Sequence, residues 1–117
     1  MSMDMTPRST SFIIKVGSTT TLELTIKNAD GTARDLSNTT TFYSGKWKVW
    51  KPDGTLVIDK AIVYGTRTSG IVSVTFGSTE ITAAKAGVWA GEVELRNTSN
   101  VISEQTQTFN FTIEESY

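Results

Sequence analysis

The segment Lys46-Trp47-Lys48-Val49-Trp50-Lys51-Pro52-Asp53-Gly54-Thr55 decides the fold class of this chain. Successive side chains on a strand point to opposite faces, so Trp47 and Val49 share one face while Lys46, Lys48 and Trp50 share the other. The strand so described runs from Thr41 to Lys51. Pro52 presets φ at the first corner of a turn and Gly54 accepts the left-handed position after it, so the chain must double back. Residues 56–64 supply the return strand of this hairpin, and 65–70 a polar loop.

The same pattern continues on both sides, as short apolar runs separated by turn signals. Upstream, residues 12–16 form a first strand closed by Gly17-Ser18. A second, over 20–27, turns Leu22, Leu24 and Ile26 one way and Glu23, Thr25 and Lys27 the other. Asn28-Ala29-Asp30-Gly31 is a turn, and Arg34-Asp35-Leu36 a short edge piece. Downstream, residues 71–76 place Val72, Val74 and Phe76 inward. Residues 79–85 suit a single helical turn with Thr79 as its cap. Residues 87–96 put Trp89, Val93 and Leu95 inward and Glu92, Glu94 and Arg96 outward. After the turn at 97–100, residues 102–113 form a last strand ending in Phe109, Phe111 and Ile113. No segment shows helical periodicity beyond one turn. The expected fold is an all-β, immunoglobulin-like antiparallel β-sandwich of seven or eight strands over residues 11–117. Residues 1–10 are polar, carry no periodicity and contain Pro7. They read as an extended N-terminal arm, frayed or docked on a neighbour.

Composition limits what such a domain can do. Its 117 residues suffice for one core, and 38% hydrophobic with 20% charged residues is ordinary for a folded protein. Ser and Thr make up about a quarter of the chain, and β-branched Thr favours strands. A net charge of −1, with Lys15, Lys27, Lys46, Lys60 and Arg96 dispersed, gives no basic patch for nucleic acid. The chain has no cysteine, hence no disulfide and no thiolate metal site. It also has no histidine, the usual general base and commonest transition-metal ligand. Neither a catalytic residue nor a metal or cofactor is expected. The start lacks a signal peptide's apolar centre and no run approaches the ~20 apolar residues of a membrane span, so no membrane association is expected and synthesis in the cytosol is.

Carboxylates are what remains for acid–base chemistry. Glu92 and Glu94 lie about 7 Å apart on one strand face, a spacing open to a glycosidase pair or a calcium site but more simply a solvated face. Asp30-Gly31 and Asp53-Gly54 need only turn chemistry. Trp47 and Trp89 read as core anchors. Trp50 differs, because it alternates with Lys46 and Lys48 on the polar face, where a tryptophan is either an interface anchor or covered by a loop. Together with Met5, Pro7 and Arg8 of the arm, it forms the candidate partner-binding set.

In order along the chain, Val16-Gly17 to Ile26, Asp30-Gly31-Thr32-Ala33-Arg34-Asp35-Leu36, Trp47 to Thr55, Gly70-Ile71-Val72-Ser73-Val74, Ala86-Gly87-Val88-Trp89-Ala90-Gly91-Glu92-Val93-Glu94-Leu95 and Phe109 to Ser116 resemble the amino-terminal immunoglobulin-like domain of tailed-phage upper baseplate proteins. The resemblance spans residues 12–116. It implies a virion structural role in which a small sandwich anchors a receptor-binding organelle to the tail. Other virion proteins would be its partners, with a homo-oligomer inside a symmetric assembly put together in the host cytoplasm. Within it, Trp89 enters its strand where immunoglobulin domains place a tyrosine corner, and its indole N–H would replace the phenol as donor to a nearby carbonyl. Members of that family usually continue into a helical neck, whereas this sequence stops at Tyr117, as expected of a small adaptor acting alone or of a piece of a longer protein. A capsid-decorating protein and a carbohydrate-binding or adhesin module using Trp50 are the alternatives.

Overall fold

The hairpin at the centre of the sequence forms as its residues require. In the computed structural model, which describes residues 11–106 and 108–115, strands β3 (Ser44–Trp50) and β4 (Leu56–Ala61) pair antiparallel. The Lys51 amide donates to the Thr55 carbonyl at 2.9 Å and the Asp53 carboxylate accepts from the Thr55 amide at 2.8 Å. Gly54 takes φ 89°, a conformation that costs glycine nothing.

The described residues contain nine strands in two sheets. The others are β1 (Ser11–Lys15), β2 (Thr20–Thr25), β5 (Val63–Tyr64), β6 (Ile71–Phe76), β7 (Gly87–Arg96), β8 (Ile102–Gln105) and β9 (Phe109–Glu114). The large sheet has spatial order β1-β9-β7-β3-β4, with β8 also on β7, and the small sheet has order β2-β6-β5. Their inward faces enclose one apolar core, as in a β-sandwich. At its centre the fully buried Trp47 lies 5.0 Å from the Phe12 ring at 70° and 5.1 Å from that of Phe109, edge-to-face and tilted geometries that aromatic pairs favour.

The sandwich is therefore the architecture expected, with nine strands among the described residues in place of seven or eight and three differences in detail. First, β1 pairs parallel with β9, so the fold is not antiparallel throughout. Second, the return strand over 56–64 is two strands. At the buried Ile62, whose amide bonds the Gly45 carbonyl at 3.1 Å, the chain leaves the large sheet and pairs as β5 with β6 in the small one. Third, the last strand breaks at Thr106, and β8 and β9 lie along the same edge of β7. Thr106 faces Val93 in the break, donating its amide to the Val93 carbonyl at 2.9 Å and accepting the Val93 amide on Oγ1 at 2.8 Å. The side-chain oxygen thus stands in for a ladder carbonyl. The arm, residues 1–10, lies outside the described residues.

Two shorter expectations also change. The segment 34–36 is not a strand: Arg67 Nη1 donates to the Leu36 and Phe42 carbonyls at 3.1 and 2.7 Å and pins it as irregular chain. The helical turn is a 3₁₀ turn over Ala83–Lys85 that follows Thr82, without a side-chain cap. Trp89 does bond as its place in the sequence implies, its indole Nε1 donating to the Lys85 carbonyl at 2.8 Å. The ring folds back over Gly87, at φ 150°, where a Cβ would land inside the indole.

Candidate docking face

The register of the large sheet fixes which side chains meet on its outer face. Ile13 pairs with Thr112, and Thr112 with Val88. The next row runs Ser11, Asn110, Ala90, Trp50 and Leu56 across five strands. Residues in register and in phase project from the same side of the sheet. Ile13, Val88 and Leu56 are exposed by 61%, 67% and 42%, Ala90 is exposed and Trp50 half-buried. These two rows form an apolar end of the face.

Beyond them the same face becomes charged. Glu92, Lys48 and Asp59 form one row, and Gln105, Glu94, Lys46 and Ala61 the next. Glu94 is only 5% exposed, although its strand phase points it outward. Lys48 Nζ and Arg96 Nη2 reach its Oε1 at 3.2 and 2.9 Å and close over it. Burial works to raise the Glu94 carboxyl, but the bonds from Arg96 and Lys48 outweigh it and hold the group below the usual carboxylate range. Glu92 goes the other way. Burial and the neighbouring Glu94 charge raise it, against a weaker pull from Lys48. Its hydrogen bond comes from Gln105 Nε2 at 3.0 Å, and among the described residues it has no ion pair.

The two glutamates therefore lie on a strand face interleaved with Lys46, Lys48 and Arg96, in which Glu94 is covered by its cations. A cavity of about 370 Å³ lies elsewhere, beside β4, lined by Ile58, Phe76, Ile81, Lys60, Glu80 and Lys85. Its charges are internally spent: Lys60 Nζ bonds Glu80 Oε1 at 2.5 Å and Lys85 Nζ bonds the Glu80 carbonyl at 2.8 Å. Among the described residues no group of three or more His, Cys, Asp or Glu is placed to hold a metal ion.

Of the sequence-derived partner-binding set, Trp50 falls inside the apolar end, half-buried between Ala90 and Leu56. Met5, Pro7 and Arg8 lie outside the described residues. Ile13, Val88 and Leu56 were missed by sequence reasoning. The signal for Val88 was in the strand phase, since it alternates with Trp89 and so shares a face with Glu92 and Glu94. Leu56 carried none, because a bulge between Val49 and Trp50 shifts its register against β3.

The fold has counterparts among known proteins. The structure is similar to the N-terminal domain of phage TP901-1 ORF48, with TM-score 0.66, 10% identity, and 96% of this chain and 95% of that chain covered. It is also similar to CopC from Methylosinus trichosporium OB3b, with TM-score 0.50, 10% identity, and 93% and 88% covered. At such identities these likenesses show the fold alone. A comparison with curated protein sequences finds no match. The family model described as the BppU N-terminal domain matches residues 11–117, and the chain thus belongs to the BppU N-terminal domain family, structural domains of phage tail baseplates.

Proposed function

We propose that the domain is a baseplate adaptor, assembled in the host cytoplasm, that docks on neighbouring virion proteins through the apolar end of the large sheet's outer face. The observation that carries this reading is the grouping of Val88, Ala90, Trp50 and Leu56 on adjacent strands, with Ile13 beyond Thr112 of β9, on a face with no second layer over it among the described residues. Such a patch, with a charged margin in Glu92, Lys48 and Asp59, has the apolar centre and polar rim of an interface. Its area is of the order of a few hundred Å², below the ~800 Å² per partner of a standard interface. One contact is weak, so many copies in a symmetric assembly supply the avidity, and a homo-oligomeric arrangement follows. No feature of the fold favours the capsid-decorating or carbohydrate-binding alternatives.

The test is complementation of a phage lacking this gene. A variant with Ile13→Glu and Val88→Glu is expected to fold, both positions being exposed, and to enter particles at least tenfold less than the unaltered protein. Removal of residues 1–10 is expected to lower incorporation as well. Normal particle content of the double glutamate variant would remove the proposal.

A further inference from the structure

An edge strand presents unpaired backbone groups, and folded proteins blunt such edges with short strands, bulges, proline or inward-pointing charges. Among the described residues, β1, β2 and β4 are the strands of five or more residues with a neighbour on one side only. Two of them are blunted. In β4 the register slips at the bulge beside Trp50, and Lys60, opposite Trp47 on the inward face, is held there by Glu80. At the end of β2 the Ile26 amide donates to the Gly70 carbonyl at 2.8 Å, so Thr21, Glu23 and Thr25 turn their backbone groups to the open side. Glu23 stands in the middle of that row, and a second β2 laid against it would set glutamate against glutamate.

The first strand has none of these devices. Its five residues pair with β9 without a register slip, and Phe12 and Ile14 point inward. The Val16 amide donates to the Glu114 carbonyl at 2.9 Å, so it is Ser11, Ile13 and Lys15 that turn their backbone groups to the open edge. The Lys15 carbonyl is already taken by the Ser18 amide and Oγ at 3.2 and 2.6 Å, which ends the edge there. What remains is the N–H and C=O of Ser11 and Ile13 and the N–H of Lys15. The middle residue of this edge is Ile13, apolar and yet exposed.

We infer that two copies of this chain pair antiparallel along the open edges of β1, about a two-fold axis that sets Ile13 opposite the partner's Ile13. In that register the two Ile13 residues exchange N–H···O=C bonds, and each Lys15 amide meets the partner's Ser11 carbonyl. Every open group of the edge except the Ser11 amide then has a partner. The side chains agree with it: isoleucine lies against isoleucine and Lys15 against Ser11, while the two lysines stand about 14 Å apart, four residues along a strand. Opposed residues of antiparallel strands project from one side of a sheet, so the outer faces of the two copies form one surface. The row of Val88, Thr112 and Ile13 runs on into the partner's Ile13, and the apolar area about doubles, to the order of the ~800 Å² that a standard interface needs from one partner. This deepens the docking reading and rests on it for the use of the joined surface. Two five-residue strands make a small contact, so the pairing is weak in dilute solution and strengthened where a symmetric particle holds copies side by side.

The chain has no cysteine, so a single introduced thiol reports on its own position. Opposed residues that exchange both hydrogen bonds have Cα atoms about 5.5 Å apart, inside the ~4.4–6.8 Å span of a disulfide. In the full chain at high concentration, Ile13→Cys is expected to oxidise to a disulfide-linked dimer at least tenfold faster than Thr75→Cys, exposed on the outer face of the small sheet. A mixture of Ser11→Cys and Lys15→Cys proteins is expected to form the mixed dimer at least tenfold faster than either protein forms its own. An Ile13→Cys protein that dimerises no faster than Thr75→Cys would overturn the inference, and is the result expected if residues 1–10, or nothing, take the edge. Ser11→Cys dimers forming as fast as the mixed species would overturn it as well, since the two-fold holds those thiols apart. The isolated protein carries no virion partner, so failure here leaves face-mediated entry into particles untouched, and the particle test in turn does not read the pairing.

Discussion

Glu92 and Glu94 stand two residues apart on one face of β7, yet the fold treats their charges oppositely. The folded state holds Glu94 below the ordinary carboxylate value, so its stabilisation is fully present above about pH 4.3 and is lost as the pH falls through the lowered folded value. Glu94→Gln is therefore expected to destabilise the domain by about 1–2 kcal/mol at pH 7 by loosening Lys48 and Arg96. The deficit should shrink in urea titrations near pH 3. Glu92 is raised, so its charged form opposes folding above the raised value and is neutral in both states well below about pH 4. Glu92→Gln should stabilise by up to about 0.5 kcal/mol at pH 7, with the gain vanishing in acid. The outward phase of both residues was legible in the strand alternation. Their difference was not, because it depends on Lys48 arriving from β3 at a register that no local signal encodes.

At the scale of elements, the breaks show where local reading ends. The hairpin was legible because Pro52, Asp53 and Gly54 each have a preference that the turn uses. The corner at Trp89 was legible because Gly87 and the indole N–H have few alternatives. The crossing at Ile62 and the break at Thr106 carry no glycine or proline, and are set by which sheet or edge offers a partner. Thr106 gives a measurable consequence. Thr106→Val would leave the buried Val93 amide without its acceptor and is expected to cost about 1–3 kcal/mol, whereas Thr106→Ser, which keeps the oxygen, should recover most of it in thermal melts. Gly87→Ala should be costly in the same assay, since its Cβ meets the Trp89 ring and displaces the indole from the Lys85 carbonyl.

For the whole molecule, one core joins two sheets and leaves the outer face of the larger sheet apolar at one end. Trp47→Ala at the centre of that core is expected to cost about 3–5 kcal/mol in urea unfolding. The core was largely legible from alternating positions such as Val72, Val74 and Phe76. The face was legible only in part, because it is assembled from β1, β9, β7, β3 and β4, strands far apart in sequence. Trp50 pointed to it, and the register supplied the rest. The most direct test of the docking account is cysteine labelling in assembled particles, comparing Val88→Cys on this face with Thr75→Cys on the outer face of the small sheet. In the free protein both should react readily with a maleimide. In particles, Val88→Cys should be protected at least tenfold while Thr75→Cys stays reactive, and a Val88→Cys thiol that labels as fast in particles as in the free protein would contradict it.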